Sequence, residues 1–188
     1  MTRIISGSAK GRTLRVPPAG TRPTSDRVRE AIFSSLEHRL GSWQGLAVYD
    51  LYAGSGAFAL EALSRGAASA VAVEKDRKAL DVIRANASTV GVRLDVVASE
   101  VGKFVTRQPA PVPDVVFVDP PYEVPADVVR AELAALLAQI PDHEVLLVIE
   151  RAARDTASPV PDGCDGFDRR TIGETSVTYA RWYGYAHE

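Results

Sequence analysis

Asp119-Pro120-Pro121-Tyr122 closes an apolar run, Val115-Val116-Phe117-Val118, in a chain of 188 residues. Two successive prolines stiffen a loop and remove two N–H donors. What remains to face a ligand is a set of acceptors, carbonyl oxygens and one carboxylate, beside an aromatic ring. Such a site suits a planar substrate that carries an NH2 group. The lone pair of an amine on an aromatic base is delocalised into the ring, so the amine is a poor nucleophile. If the Asp119 carboxylate and the Pro120 carbonyl each accept one N–H, they hold the amine and localise its lone pair toward an electrophilic carbon. Tyr122 can stack on the ring, as aromatic side chains do on unpaired bases. Positioning then carries most of the barrier reduction. The alternative is a plain strand-to-loop turn.

A second pattern lies upstream, in Asp50-Leu51-Tyr52-Ala53-Gly54-Ser55-Gly56-Ala57-Phe58. Two glycines between a strand and a helix permit a tight turn and let a ligand approach the backbone. Glu74 ends the next strand candidate, where an acid can accept hydrogen bonds from both ribose hydroxyls of an adenosine. This spacing fits a dinucleotide as well as S-adenosylmethionine. Asp50 favours the latter, because a carboxylate there attracts a sulfonium cation and repels a pyrophosphate. The other reading of Asp50 is a cap for the loop amides.

These groups need elements that hold them at one rim. Apolar runs at 46–51, 70–73, 92–98, 113–118 and 144–149 read as strands. Helices are expected between them: from about 56 to 65, then one with Leu80, Ile83, Ala87 and Val90 on one face, a short one through Phe104, and one carrying Val129, Leu133, Leu136, Leu137 and Ile140. Strands alternating with helices imply parallel pairing through right-handed crossovers, with helices on both faces. Two extended runs, 167–172 and 176–185, read as an antiparallel hairpin closing the sheet. Before this unit, residues 3–16 suggest a short strand or hairpin. Ser25 or Asp26 can cap a helix through Val28, Ile32, Phe33, Leu36 and Leu40 that ends at Gly41. The fold class is therefore α/β, a Rossmann-like, seven-stranded, mostly parallel sheet. Residues 1–24 are expected to form a basic extension and 25–188 the main domain.

Charge is split along the chain. Residues 1–29 hold seven basic side chains against one acid, a net of +6, whereas the whole chain is −2. A basic arm on an acidic body is suited to neutralising phosphates, so nucleic acid is the expected partner. One cysteine excludes an internal disulfide, and three histidines with that cysteine make no structural zinc cluster. No metal is expected. The N-terminus lacks an apolar core of signal-peptide type and no run reaches the length of a membrane helix, so a cytoplasmic protein is expected.

Asp50 to Glu61, Glu74 and Asp119-Pro120-Pro121-Tyr122 resemble the class I S-adenosylmethionine-dependent methyltransferases that act on amino groups. Arg3-Ile4-Ile5-Ser6-Gly7, Lys10-Gly11-Arg12 and Arg22-Pro23-Thr24-Ser25-Asp26-Arg27-Val28-Arg29-Glu30 narrow the likeness. With them the chain resembles, over nearly its whole length, the RsmD type of bacterial 16S ribosomal RNA guanine-N2 methyltransferases. The resemblance implies methylation of guanine 966 in the assembling small subunit. It also implies that Gly54, Gly56 and Phe58 line the methionine part of the cofactor, and that Glu74 holds the ribose, with Lys75 beside it. Ser99 and Glu100 would flank the adenine. Asp119, Pro120 and Tyr122 would hold the target base, with Asp119 also bordering the cofactor. Lys10, Arg12, Arg22, Thr24, Arg27 and Arg29 are the candidate RNA contacts, although Arg27 or Arg29 could instead pair with Glu30 or Glu61. A monomer is expected, acting on 16S rRNA within 30S assembly intermediates, where bound ribosomal proteins could take part. Other readings stay open: a DNA adenine-N6 or protein glutamine methyltransferase, a small NAD-dependent oxidoreductase, or a non-catalytic RNA-binding assembly factor.

Overall fold

The computed structural model describes residues 2–18, 24–140 and 142–184. Its elements follow in chain order: β1 (Thr2–Arg3), β2 (Thr13–Leu14), α1 (Asp26–Leu40), β3 (Ala47–Leu51), α2 (Ala57–Ser64), β4 (Ser69–Glu74), α3 (Arg77–Val90), β5 (Asp95–Ala98), α4 (Val101–Phe104), β6 (Val115–Val118), α5 (Ala126–Leu137), β7 (Val145–Ala152), β8 (Asp165–Ile172) and β9 (Thr175–Trp182). Seven strands make one sheet in the order β5-β4-β3-β6-β7-β9-β8. β3 to β7 pair in parallel, and β9 runs antiparallel to both β7 and β8. The order reverses between β3 and β6, so the carboxyl ends of those two strands flank the crevice where ligands bind in open sheets.

Both sheet faces are covered, which is why the central strands read as unbroken apolar runs. Alternate residues of β6 go to opposite sides: Val115 and Phe117 pack with α1, α2 and Ile83 of α3, whereas Val116 and Val118 pack with α4 and α5. On the first face Phe117 stacks on Phe58 with ring centroids 4.8 Å apart and meets Phe33 at 5.4 Å. These rings tie α1 and α2 to the middle of the sheet, directly beneath the site.

Helix α1 begins as its sequence suggests. Ser25 caps it, its hydroxyl accepting from the Val28 amide at 3.2 Å, and Gly41 closes it with φ 72°. The expected 92–98 strand begins only at Asp95, because Gly91 in the left-handed region ends α3 and residues 92–94 lead into the strand. β7 continues past Ile149 to Ala152, and so carries Glu150 and Arg151 out to the rim. The final strand was expected to reach Tyr185, which lies outside the described residues. β8 also carries a register shift between Asp165 and Asp168.

The basic segment is stitched onto the body. Glu61 of α2 is fully buried and accepts from the Ile5 and Ser6 amides at 2.7 and 2.9 Å. Ser8 N donates to the Ser64 carbonyl at 2.8 Å. Gly7, at φ 83°, passes so close that a Cβ would lie 1.8 Å from the Ser64 oxygen, so only glycine fits. Ile4, Ala9 and Leu14 pack with Leu60, Ala87 and Val90. Asn86 then clamps the exit, accepting from Arg15 N at 2.8 Å and donating to Arg15 O at 2.9 Å. The backbone of residues 2–15 is thus fixed, while Arg3, Lys10, Arg12 and Arg15 stay at the surface.

Candidate active site

A cavity of about 310 Å3 opens at the carboxyl rim of the sheet, within the size range of small-molecule sites. Each central strand contributes to its wall as it ends. The loop after β3 gives Tyr52, Gly54 and Ser55, β4 gives Glu74, the end of β5 gives Ser99, the loop after β6 gives Asp119 to Val124, and β7 gives Glu150 and Arg151. Thr2, Val16, Pro17 and Thr24, from the segment before α1, close the remaining side.

The glycine loop has a backbone that few residue types could adopt. Tyr52 sits at φ 63° and Gly54 at φ 55°, conformations that cost a non-glycine residue free energy. The Tyr52 hydroxyl donates to Glu132 of α5, which anchors the strained turn. Glu74 braces the loop from β4. Its Oε2 accepts from Gly54 N at 2.9 Å, and its Oε1 accepts from Lys75 N and Asp76 N at 2.8 and 2.9 Å. A carboxylate has about four acceptor positions, so one remains for a ligand hydroxyl.

The loop after β6 presents the acceptors. The Pro121 carbonyl is taken by Val124 N at 3.0 Å, and the Pro120 carbonyl takes no hydrogen bond among the described residues. Pro120 is buried, whereas Tyr122 at the mouth is 56% exposed, with its ring free to cover a base. The Asp119 Oδ2 accepts from the Thr24 hydroxyl at 2.7 Å. Burial pushes the Asp119 carboxyl up to about 6, against the Thr24 hydrogen bond that lowers it. Glu150, on the same wall, is pushed up to about 8, by burial first and then by the charge of Asp119.

Most of the residues expected at the site meet there. Gly54, Phe58, Glu74, Lys75, Ser99, Asp119, Pro120, Tyr122 and Thr24 all line the cavity. Four other expectations change. Asp50 is 1% exposed and stays off the cavity wall, its Oδ2 accepting from Ala59 N at 3.1 Å in the first turn of α2. The capping reading of Asp50 therefore describes its contact. Gly56 also stays off the wall: at φ 75° it makes the left-handed turn into α2, and a Cβ there would come 3.3 Å from Ile83, so this glycine serves the turn and the packing of α2 on α3. Glu100 points to solvent, pairs with Lys103 at 2.8 Å and stays off the cavity wall, whereas Ser99 lines it. Arg29 is 1% exposed and fixed to Asp26 at 3.1 Å, to Thr2 at 2.8 Å and to the Arg3 carbonyl, so it is an internal brace and not a surface contact. Arg12 gives one guanidinium nitrogen to the Thr89 carbonyl while staying exposed. Lys10 and Arg27 are exposed, and Arg22 lies outside the described residues.

Sequence reasoning passed over Glu150. Its signal was present: like Glu74 and Asp119, it is an acid placed where an apolar strand run ends. The walls thus carry Glu74, Asp76, Asp119, Glu123 and Glu150 against Lys75, Arg29 and Arg151, and both guanidinium groups are already paired with carboxylates. A cationic ligand with a ribose fits this set, and a pyrophosphate does not.

A family model described as Conserved hypothetical protein 95 matches residues 2–181. The YlbH protein of Bacillus subtilis is 30% identical over 191 residues, covering 97% of this chain and 94% of that protein. Ribosomal RNA small subunit methyltransferase D of Escherichia coli is 43% identical over 122 residues, 64% of this chain and 60% of that protein. Among solved structures, a hypothetical protein of Thermus thermophilus is similar at 32% identity and a TM-score of 0.80, covering 95% of this chain and 98% of the other.

Proposed function

The chain belongs to the family described as Conserved hypothetical protein 95, and from that premise we propose that it methylates the exocyclic N2 of a guanine in 16S ribosomal RNA, of the guanine 966 type, during assembly of the small subunit. It is a class I methyltransferase by fold and uses S-adenosylmethionine on ribosomal RNA. The observation that supports transfer to an aromatic amine is the pair of acceptors on the cavity wall, the Asp119 carboxylate and the Pro120 carbonyl, which takes no hydrogen bond among the described residues, beside the exposed ring of Tyr122; the choice of guanine N2 and of the 16S site rests on the family resemblance.

The cofactor, when bound, supplies a methyl group on a cationic sulfur. Glu74 would hold its ribose, with Gly54, Ser55 and Phe58 along its length, Lys75 beside the ribose and Ser99 at the adenine. Asp119 and Pro120 each accept one N–H of the guanine amine, which turns the nitrogen lone pair out of conjugation and toward the methyl carbon. Bound there, the cofactor would give that methyl group to the amine nitrogen and would keep the C–S electron pair on its sulfur. The alkylated nitrogen then loses one proton, for which Asp119 is the adjacent acceptor. Pre-alignment supplies the rate, as expected for a group transfer with little other work for the protein.

The RNA is held by Lys10, Arg12 and Arg27, with Arg22 of the same segment. In this reading residues 1–24 are an RNA-facing extension of the transferase domain 25–188, and Val16, Pro17 and Thr24 carry it to the cavity wall. Among the described residues no helix is long and apolar enough to cross a membrane. The enzyme works as a cytoplasmic monomer on 30S assembly intermediates.

Tritiated methyl transfer tests the substrate. Label should enter 16S rRNA in immature 30S particles. Label in free DNA or protein only would reject the reading, and no transfer to any acceptor would favour a silent assembly factor. Tyr122→Ala should raise the KM for the particle about fivefold to 150-fold, because one base–aromatic stack is worth about 1–3 kcal/mol. The exposed ring makes few internal contacts, so the melting temperature should stay unchanged. A KM within twofold of the parent would remove Tyr122 from the base site.

A further inference from the structure

The Thr24 hydroxyl stands between two carboxyl groups, 2.7 Å from Asp119 Oδ2 and 3.0 Å from Glu150 Oε2. A hydroxyl donates one proton. If both acids were ionised, one of these contacts would set a lone pair against a carboxylate at a partly buried spot on the cavity wall, which is costly. One added proton removes the conflict: a neutral Glu150 donates to the Thr24 oxygen, and Thr24 donates to Asp119. We propose that Glu150 and Thr24 are positioning residues that hold this single proton, so that Asp119 meets the substrate amine as an ionised acceptor. The shared proton rests on geometry, its place on Glu150 on the burial and charges around the two acids, and its catalytic consequence on the amine methylation proposed above.

The surroundings favour the proton on Glu150. From β9, Thr175 approaches its Oε1 at 3.5 Å, and from β6 the nearby charge is Asp119, an anion. The cations on the cavity wall are committed elsewhere or exposed. Arg151 of β7 holds Asp155 at 2.6 Å and the Val124 carbonyl at 2.8 Å. Arg29 of α1 holds Asp26, and Lys75 after β4 is at the surface. Arg169 of β8 binds Ser176 and the Asp155 carbonyl. The remaining acids, Glu74, Asp76 and Glu123 on the wall and Asp50 beneath it, add no positive charge. Burial first, and then the charge of Asp119, raises Glu150, and burial raises Asp119 less, so the pair keeps one proton more readily than either acid would alone.

Two measurements test this. In the protein without cofactor or RNA at pH 7, infrared spectra should contain a protonated carboxylic acid band that Glu150→Gln removes and that vanishes as the parent is taken past pH 9. Unchanged spectra in Glu150→Gln would overturn the assignment whatever the substrate. In methyl transfer, kcat/KM of the parent should rise as Asp119 ionises near pH 6 and fall as Glu150 loses its proton near pH 8, by about tenfold per pH unit beyond that point. Gln keeps a donor facing Thr24, so Glu150→Gln should keep the acid limb and lose the alkaline one, falling less than about twofold between pH 8 and 9. Thr24→Ser should behave as the parent and Thr24→Val should not. An alkaline limb identical in parent and Glu150→Gln would overturn the positioning role. A band that behaves as expected, in a protein that methylates no RNA, would keep the proton chain and reject the substrate reading.

Discussion

Asp119→Asn should lower kcat for methyl transfer by about 100- to 1,000-fold, the usual cost of removing one preorganised polar group from a reacting centre. The side chain keeps its size, but it loses the charge that draws an amine N–H and one of its two acceptor oxygens. It also presents an NH2 where the substrate presents another, so the amine is no longer held with its lone pair toward the methyl carbon. Binding of S-adenosylhomocysteine should stay within about tenfold, since Glu74, Gly54 and Phe58 are untouched and a lost neighbouring charge is worth about one pKa unit or less in affinity. The melting temperature should not fall, because the change removes a buried carboxyl whose ionised form is disfavoured. Calorimetry with S-adenosylhomocysteine and single-turnover transfer would separate these effects. Loss of cofactor binding equal to the loss of rate would move Asp119 from the amine to the cofactor.

The largest effect on folding is expected at Glu61. Its carboxylate is fully buried and holds four groups: the Ile5 and Ser6 amides, Arg65 at 2.8 Å, and Arg29 at 4.0 Å. Glu61→Ala leaves two part-buried amides without an acceptor and strips Arg29 of one of its two carboxylates. Breaking one side of a buried ion pair costs about 3–5 kcal/mol. For a chain of this length that corresponds to a fall in melting temperature of roughly 6–20 °C. Hydrogen exchange should quicken first at residues 2–9, which Glu61 and Ser64 pin to α2. Glu61→Gln keeps a carbonyl acceptor and should cost less than half as much. A Glu61→Ala melting temperature within 2 °C of the parent would mean that the hairpin is held by Ile4, Ala9 and Leu14 alone.

Features with a period or a local signal could be read directly. The Ser25 cap and Gly41 stop frame α1 because both act within one turn of the helix. The unbroken run 115–118 announced a strand buried on both faces, and its exit placed Asp119 at the rim. Glu74 followed by the same reasoning. The misreadings came from glycine and charge. Gly56 has the spacing of a ligand glycine but meets Ile83, a contact 27 residues away that no local pattern encodes. Arg29 counted toward a basic arm, yet it points inward, because Thr2, Asp26 and Glu61 converge on it only after folding. Glu150 needed both the strand-end rule and the approach of Thr24, 126 residues earlier. A side-chain meeting of that span leaves no periodic trace.

We propose that this rim holds a guanine amine of ribosomal RNA. Nucleoside mass spectrometry tests it most directly, on 16S rRNA from immature 30S particles incubated with the purified protein and S-adenosylmethionine. The account predicts one new N2-methylguanosine per particle with the parent protein and almost none with Asp119→Asn. New N6-methyladenosine in its place, or equal N2-methylguanosine from the parent and Asp119→Asn, would contradict it.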